Sequence, residues 1–397
     1  MKKTLAAVAV LGAFAGSALA ADVQLYGVVD TGVRYLNTDT DAYGSDSVST
    51  FSMESGMQSG SRFGFKGTED LGNGLTVGFV LENQFDSDDG SLNKSGLLFH
   101  RETSLFLEGG FGKFAMGRMG SINGGTSSWA KYGVISAFGT SWGDYSAQAG
   151  NWAIGGGMWD NMVAYETPSF AGFKVFAQYG MGNAVTDNNS VENESSSDRY
   201  YAIGASYANG PLNLYLAVDS INYATYGKEV GDGSNIDDSL TVTIGGNYDF
   251  EVVKLFAGAQ YFDEIKLSNM KGAINQSGMT FNGATPGNTN SNFADKFKGW
   301  SVGLSASIPA AGGQVLVGAA YLDAEAADSV ATSASHPEGD EFTRWIVSAG
   351  YDYPLSKRTN VYGVVTYNQD SIDFGRAERP DQDPTVFGVM VGMRHKF

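Results

Sequence analysis

The sequence contains no cysteine, so no disulfide framework holds it together and the fold must rest on backbone pairing and packing. Proline is scarce, at 8 residues. Beyond residues 1–20, no stretch approaches the ~18 consecutive apolar positions that a membrane helix requires. The three histidines, His100, His336 and His395, include no spaced pair for a metal centre. Basic side chains are outnumbered by acidic ones, 25 to 43, for a formal net charge of −18. That balance excludes nucleic acid as a partner, because phosphate backbones are bound by clustered lysine and arginine.

What is abundant is glycine, 54 residues or nearly twice the usual share of about 7%, together with 24 phenylalanines and 20 tyrosines. Residues 1–20 read as a secretory signal. Lys2 and Lys3 supply the positive start, Leu5 to Ala15 the apolar run, and Ala18-Leu19-Ala20 the small-residue cleavage site. An exported chain of residues 21–397 follows.

A two-residue period runs through that chain. In "VQLYGVVDTGVRY" Val23, Leu25, Val29, Val33 and Tyr35 share one face, while Gln24, Asp30 and Arg34 share the other. "LTVGFVLENQF" sets Leu75, Val77, Phe79 and Leu81 against Thr76, Gly78, Glu82 and Gln84. "TVFGVMVGMRHKF" ends on Phe397, with Phe387, Val389, Val391 and Met393 on its apolar side and Arg394 and Lys396 on the other. About sixteen such segments occur, the first near Gln24 and the last near Thr385, and no amphipathic helix of comparable strength interrupts them.

Their connections alternate in kind. Short ones rich in Gly, Pro and Asn, such as Gly72-Asn73-Gly74 and 310–313, are turns. Long polar ones fall near 37–60, 86–98, 181–198, 220–238, 263–298, 323–342 and 369–384. Short turns on one rim and long loops on the other predict an all-β fold, a sixteen-stranded antiparallel transmembrane β-barrel. A sheet spans hydrocarbon only when closed, since an open edge would leave N–H and C=O groups unpaired. Tyrosines at segment ends, among them Tyr35, Tyr179, Tyr261, Tyr321, Tyr351, Tyr353 and Tyr367, fit interfacial girdles. A soluble β-sandwich would also alternate, but its second face would be charged rather than rich in Gly, Ser, Thr and Asn.

Five stretches in order resemble a known family: "DVQLYGVVDTGV", "SRFGFKGTEDLGNGL", "GGFGKFAMGR", "AYETPSFAGF" and a last strand ending in Phe. Together they are similar to the general diffusion porins of Gram-negative bacteria, in the branch typical of β-proteobacteria. The resemblance implies short periplasmic turns, long extracellular loops, a homotrimer in the outer membrane, and a third extracellular loop folded inward to narrow the pore. Residues 120–159, rich in Gly, Ser and aromatics (Trp129, Tyr132, Phe138, Trp142, Tyr145, Trp152 and Trp159), stand where that constriction loop belongs. The resemblance further makes Phe397 part of the address read by the barrel-assembly machinery, and 86–98 a candidate latch between copies.

A passive pore has no catalytic residues, and its selectivity follows from width and charge. Wall cations that match the family pattern are Arg62, Lys66 and Arg118, with Arg34 and Arg101 placed there by strand parity alone. The inward loop contributes Lys131, Trp142, Asp144 and Tyr145, with Asp160 near its end, and Ala164 stands where relatives commonly carry arginine. With wall acids Asp30 and Glu82 added, the sequence leans to a weak cation preference.

The function expected is passive diffusion of ions and small hydrophilic solutes through a water-filled channel. The alternatives are a substrate-specific channel with an aromatic-lined constriction, or a surface adhesin using its acidic loops. A barrel hydrolase would need His395 within reach of a serine and an orienting third group. No cofactor is implied. The acidic runs 38–47, 86–90 and 231–238 lack the calcium-loop pattern with its terminal bidentate glutamate. They read as solvated loop tips, with shared divalent cations between loops and lipopolysaccharide phosphates as a lesser reading.

Overall fold

The computed structural model describes residues 22–39, 41, 46–139, 142, 157–182, 192–194, 196–224, 237–266, 296–328, 340–373 and 381–397. The extended segments in chain order are β1 (Asp22–Asp39), β2 (Val48–Ser55), β3 (Arg62–Gly72), β4 (Leu75–Gln84), β5 (Glu102–Gly109) and β6 (Gly112–Gly120). Next come β7 (Met158–Glu166), β8 (Phe173–Gly180), β9 (Arg199–Asn209), β10 (Leu212–Asn222), β11 (Leu240–Asp249) and β12 (Lys254–Lys266). The chain finishes with β13 (Lys296–Ala310), β14 (Gly313–Ala326), β15 (Glu341–Pro354), β16 (Thr359–Asp373) and β17 (Thr385–Lys396).

Consecutive strands pair antiparallel, except β2 and β3, which both pair with β1, and β17 returns to β1, from Val28 opposite Lys396 to Asp39 opposite Thr385. The sheet therefore closes and leaves no edge at the seam. β1 carries two partners on its other side, β3 along Asp22–Val28 and β2 along Thr31–Thr38. β2 and β3 are two halves of one wall strand broken at residues 56–61, so the seventeen segments make a sixteen-stranded barrel. The sequence pattern treats 37–60 as loop. Its "VSTFSMES" stretch is a strand because β1 extends far enough to pair with it.

Parity holds around the wall. On β1 and β17 the odd residues, among them Val29, Val33, Phe387, Val391 and Met393, are exposed to the lipid side, while Asp30, Leu36, Val386 and Met390 are buried inside. Two aromatic belts flank the lipid face, through pairs such as Trp300 with Tyr321, Trp345 with Tyr367, Tyr248 with Phe250 and Tyr351 with Tyr353. Tight turns close the periplasmic rim: Asn73-Gly74 and Ala311-Gly312 both take positive φ, the conformation of two-residue hairpins that match strand twist.

High in the lumen, Arg344 on β15 makes a bidentate pair with Asp370 on β16, at 2.6 and 2.8 Å, with the side chains 2% and 0% exposed. Asp370→Asn removes the carboxylate from this bidentate pair, a change worth roughly 3–5 kcal/mol in buried pairs. The expected outcome is a lower temperature for the heat-induced mobility shift on gels, with strand content unchanged when cool. An unshifted transition would show that the pair does not support the wall.

Candidate constriction site

Residues 120–139 and Trp142 lie inside the barrel, held by inward side chains of strands distributed around it. At the near end, Gln178 on β8 accepts from Ile122 N–H at 2.8 Å and donates to the Gly120 carbonyl at 3.0 Å. Asn123 donates to Asp219 on β10 at 2.6 Å and accepts from Tyr215 at 2.6 Å. Glu102 on β5 takes both the N–H and the hydroxyl of Ser128, each at 2.8 Å. Further along, Asn247 on β11 donates to the Val134 carbonyl at 2.8 Å, and Ser305 on β13 accepts from Ala137 N–H at 2.9 Å. The segment is thus fixed strand by strand across the lumen, with buried backbone groups satisfied by the wall.

Apolar packing completes the hold. Trp129, Tyr132 and Ile135 join Phe176, Tyr200, Tyr215 and Ala217 in one buried cluster. Phe138 and Trp142 join Met57, Leu316, Tyr362, Val364 and Met390 in a second one on the far side. Gly245 makes room for the loop: a Cβ there would strike Ile135 and the Ala257 carbonyl. The described aromatics of the gap, Trp129, Tyr132, Phe138, Trp142 and Trp159, are all 6% exposed or less. They are anchors against the wall, so they form no slide for a passing solute. The expectation of an aromatic-lined constriction is corrected for these residues.

A second inward segment, residues 56–61, arises where the wall strand is broken. Its anchor is Asp30, which is fully buried. The Asp30 carboxylate accepts from Gln58 N–H at 2.9 Å, Ser59 N–H at 2.6 Å and the Tyr362 hydroxyl at 2.5 Å. Gln58 then reaches across to Asp352 and Asn360, at 2.8 Å each. This strap meets the far end of the constriction loop, because Tyr362 also packs edge-on against Trp142, with 5.3 Å between ring centroids.

The strap holds Arg62. Its Nη1 donates to Ser59 Oγ and the Gly60 carbonyl, both at 2.9 Å, and its Nε lies 3.5 Å from Glu82. Arg101 Nε donates to the same carboxylate at 2.7 Å and its Nη1 to Gln84 at 2.5 Å. Tyr26 donates to Glu82 at 3.0 Å, and the exposed Lys66 lies over the Tyr26 ring at 5.3 Å. Two guanidinium groups therefore share one carboxylate. Arg101 comes inward although Leu105 and Leu107 share its strand parity, because it sits just before β5 begins and its side chain is free of the pleat. Next to it, in the loop ahead of β5, burial and then Arg101 and Arg118 push the His100 imidazole down to about 4, so it adds no charge at neutral pH.

Other sequence candidates lie elsewhere. Arg118 sits at a bulge in β6 and binds Asp160 and the carbonyl of His100, the residue before Arg101. Arg34 pairs with Glu54 at 2.6 Å. Lys131 reaches Glu166 at 2.9 Å, which also holds Lys174 at 2.6 Å. Asp144 and Tyr145 fall outside the described residues. The described part of the inward loop, residues 120–139, carries Lys131 as its one charge. Asp30, read from sequence as a wall acid favouring cations, is under the strap and out of contact with pore water. Sequence reasoning missed Glu102, Gln178 and Asp219 as loop anchors; their inward parity on otherwise plain strands was the available signal.

The family model for Gram-negative porins matches residues 6–373. This chain belongs to the Gram-negative porin family. It is 35% identical over 427 residues to an outer membrane porin protein of Bordetella pertussis, and 32% identical over 412 residues to outer membrane porin protein 32 of Delftia acidovorans. Both alignments cover 100% of each chain. Among solved structures, an anion-selective porin from Comamonas acidovorans superposes with a TM-score of 0.66 at 27% identity, covering 95% of this porin and 100% of that chain. This porin is a passive, water-filled channel of the cell outer membrane, with the loop and strap packed inside it.

Proposed function

We propose that this porin conducts ions and small hydrophilic solutes with a preference for anions, and that Arg62, Arg101 and Lys66 are the groups responsible. The observation that carries this reading is the split between exposed and buried charge. Glu82 is shared by two arginines, while Asp30 is 0%, and Glu102 and Asp219 are each 2% exposed, under the strap or against the loop. Arg62, at 23%, and the exposed Lys66 are more open to the constriction than Glu82, at 11%, and ion selectivity follows the charges that line the path. The likeness to an anion-selective porin of Comamonas acidovorans supports it. The test is the zero-current potential of single channels in a potassium chloride gradient. A potential on the chloride side is expected, and one on the potassium side would restore the cation preference read from Asp30 and Glu82.

A catalytic role is not part of the proposal. His395 shares a 2.8 Å hydrogen bond with Thr359 on the outward face, and has no acid–serine arrangement beside it among the described residues. Residues 1–20, outside the described residues, are proposed as the secretion signal. The proposal also includes a homotrimer embedded in lipid and lipopolysaccharide.

Assembly completes the reading. Phe397 exchanges two backbone hydrogen bonds of 3.1 Å with Gly27, and its ring occupies the space a Cβ on Gly27 would need. As the proposed address for the barrel-assembly machinery, it is exposed on the outer face at the seam. Deleting Phe397 is expected to cut the outer-membrane yield severely while leaving the conductance of surviving channels unchanged. Normal yield on fractionation and immunoblotting would remove the residue from assembly.

A further inference from the structure

The two cations that close the sequence on the inward face are Arg394 and Lys396, and Arg394 is joined to the strap through Asn360. They face a cavity of about 350 Å³ at the periplasmic mouth. Lys357 and Arg358, from the turn between β15 and β16, line the same cavity, with Gln314, Ser356, Thr359 and Asn360 as its polar neutral members. Its one carboxylate, Asp352, is already engaged by Gln58 and by Asn360, at 2.8 and 2.7 Å. Arg394 donates its Nε to Asn360 at 3.0 Å, and none of the four cations pairs with a carboxylate among the described residues.

The turn that supplies two of them is held in a defined shape. Leu355 N–H and Ser356 N–H donate to the Thr359 carbonyl at 2.8 and 3.0 Å. Ser356 Oγ accepts from the N–H groups of Arg358 and Thr359 at 3.2 and 3.0 Å. The last strand is tied to the turn through Lys396 N–H and the Arg358 carbonyl at 2.8 Å. Four like charges grouped around one small cavity, three of them on exposed side chains, repel one another, and a multivalent anion is the group that relieves this repulsion. The strap places the cavity on the solute route: Gln58 bonds Asn360 and Asp352 at its wall, and the adjacent Ser59 accepts from Arg62.

We propose that this cavity is a binding site for small oxyanions of two or more charges, phosphate in kind, which anions reach after passing Arg62. The proposal rests on the anion preference given above for its role in transport. Its own test is separate.

Chloride current is recorded from channels inserted in one orientation into a bilayer of zwitterionic phospholipid, with orthophosphate added in turn to either side. Phosphate on the short-turn side is expected to reduce the current at a concentration about tenfold lower than on the loop side, the effect of losing exposed charge contacts being modest per pair. Lys357→Ala with Arg358→Ala, both exposed turn residues, is expected to abolish the difference between sides while the zero-current potential in potassium chloride stays near that of the parent. Block of equal strength from both sides, or a difference that survives the double variant, overturns the site. A block that vanishes when anionic phospholipid is included would assign the cavity to lipid headgroups and overturn its role for solutes. A potassium-side zero-current potential with the block intact would sink the anion preference and leave the site standing.

Discussion

Replacing Arg62 and Arg101 together by glutamine moves the zero-current potential of this porin toward the potassium side. Both guanidinium groups lie on Glu82, at 3.5 and 2.7 Å, so their removal also leaves that carboxylate as the uncompensated charge of the site. A unit charge about 4 Å from a permeating ion in water-like surroundings is worth about 1 kcal/mol, or roughly fivefold in local ion concentration. Two lost cations and one exposed anion therefore act in the same direction, and the anion-to-cation permeability ratio should fall by about tenfold or more. Glutamine keeps a donor toward Gln84 and the strap, so the lumen should hold its shape. Glu82→Gln should act oppositely and strengthen anion preference. Both effects should fade in 1 M salt, where the screening length drops to about 3 Å. An unchanged potential in the double arginine variant at 0.1 M salt would take these residues off the ion path.

The second large effect concerns the far end of the constriction loop. Phe138→Ala with Trp142→Ala removes the two rings that dock the loop on Met57, Tyr362, Val364 and Met390. Truncating a buried aromatic to alanine costs about 3–5 kcal/mol of packing. The near end keeps its bonds to Gln178, Asp219 and Glu102, so the loop should stay rooted while its tip leaves the opposite wall. Single-channel conductance should then rise roughly twofold, as pore cross-section governs flow, and larger sugars should pass in liposome swelling. The temperature of barrel unfolding on gels should move little, because the strand ladder is untouched. Parent-like conductance would mean that the tip does not set the narrowest section.

That a loop folds inward was implied by the family resemblance. The longest gap between strands, between β6 and β7, stood where the resemblance places that loop, and its Gly, Ser and aromatic content suited a packed segment. Which way its rings point was not legible. Trp129 and Trp142 would serve a solute slide or a wall anchor equally well by composition, and burial against Phe176 and Tyr362 decides for the anchor. The strap was hidden for a different reason. Residues 56–61 look like the end of an ordinary polar loop, and only the pairing of "VSTFSMES" with β1 turns them into an interruption of the wall.

By itself the sequence determined the barrel: the inward and outward faces, the short-turn rim and the closure of the sheet. These depend on a two-residue period and on turn chemistry, both properties of residues next to one another in the chain. Tertiary structure alone decided which charges meet water. Asp30 is covered by the strap and held by Tyr362, 332 positions away, and Gln58 crosses to Asn360, 302 positions away. Periodicity specifies which side of the wall a side chain faces, but solvation and charge inside a closed barrel depend on what folds over that side chain from the opposite wall.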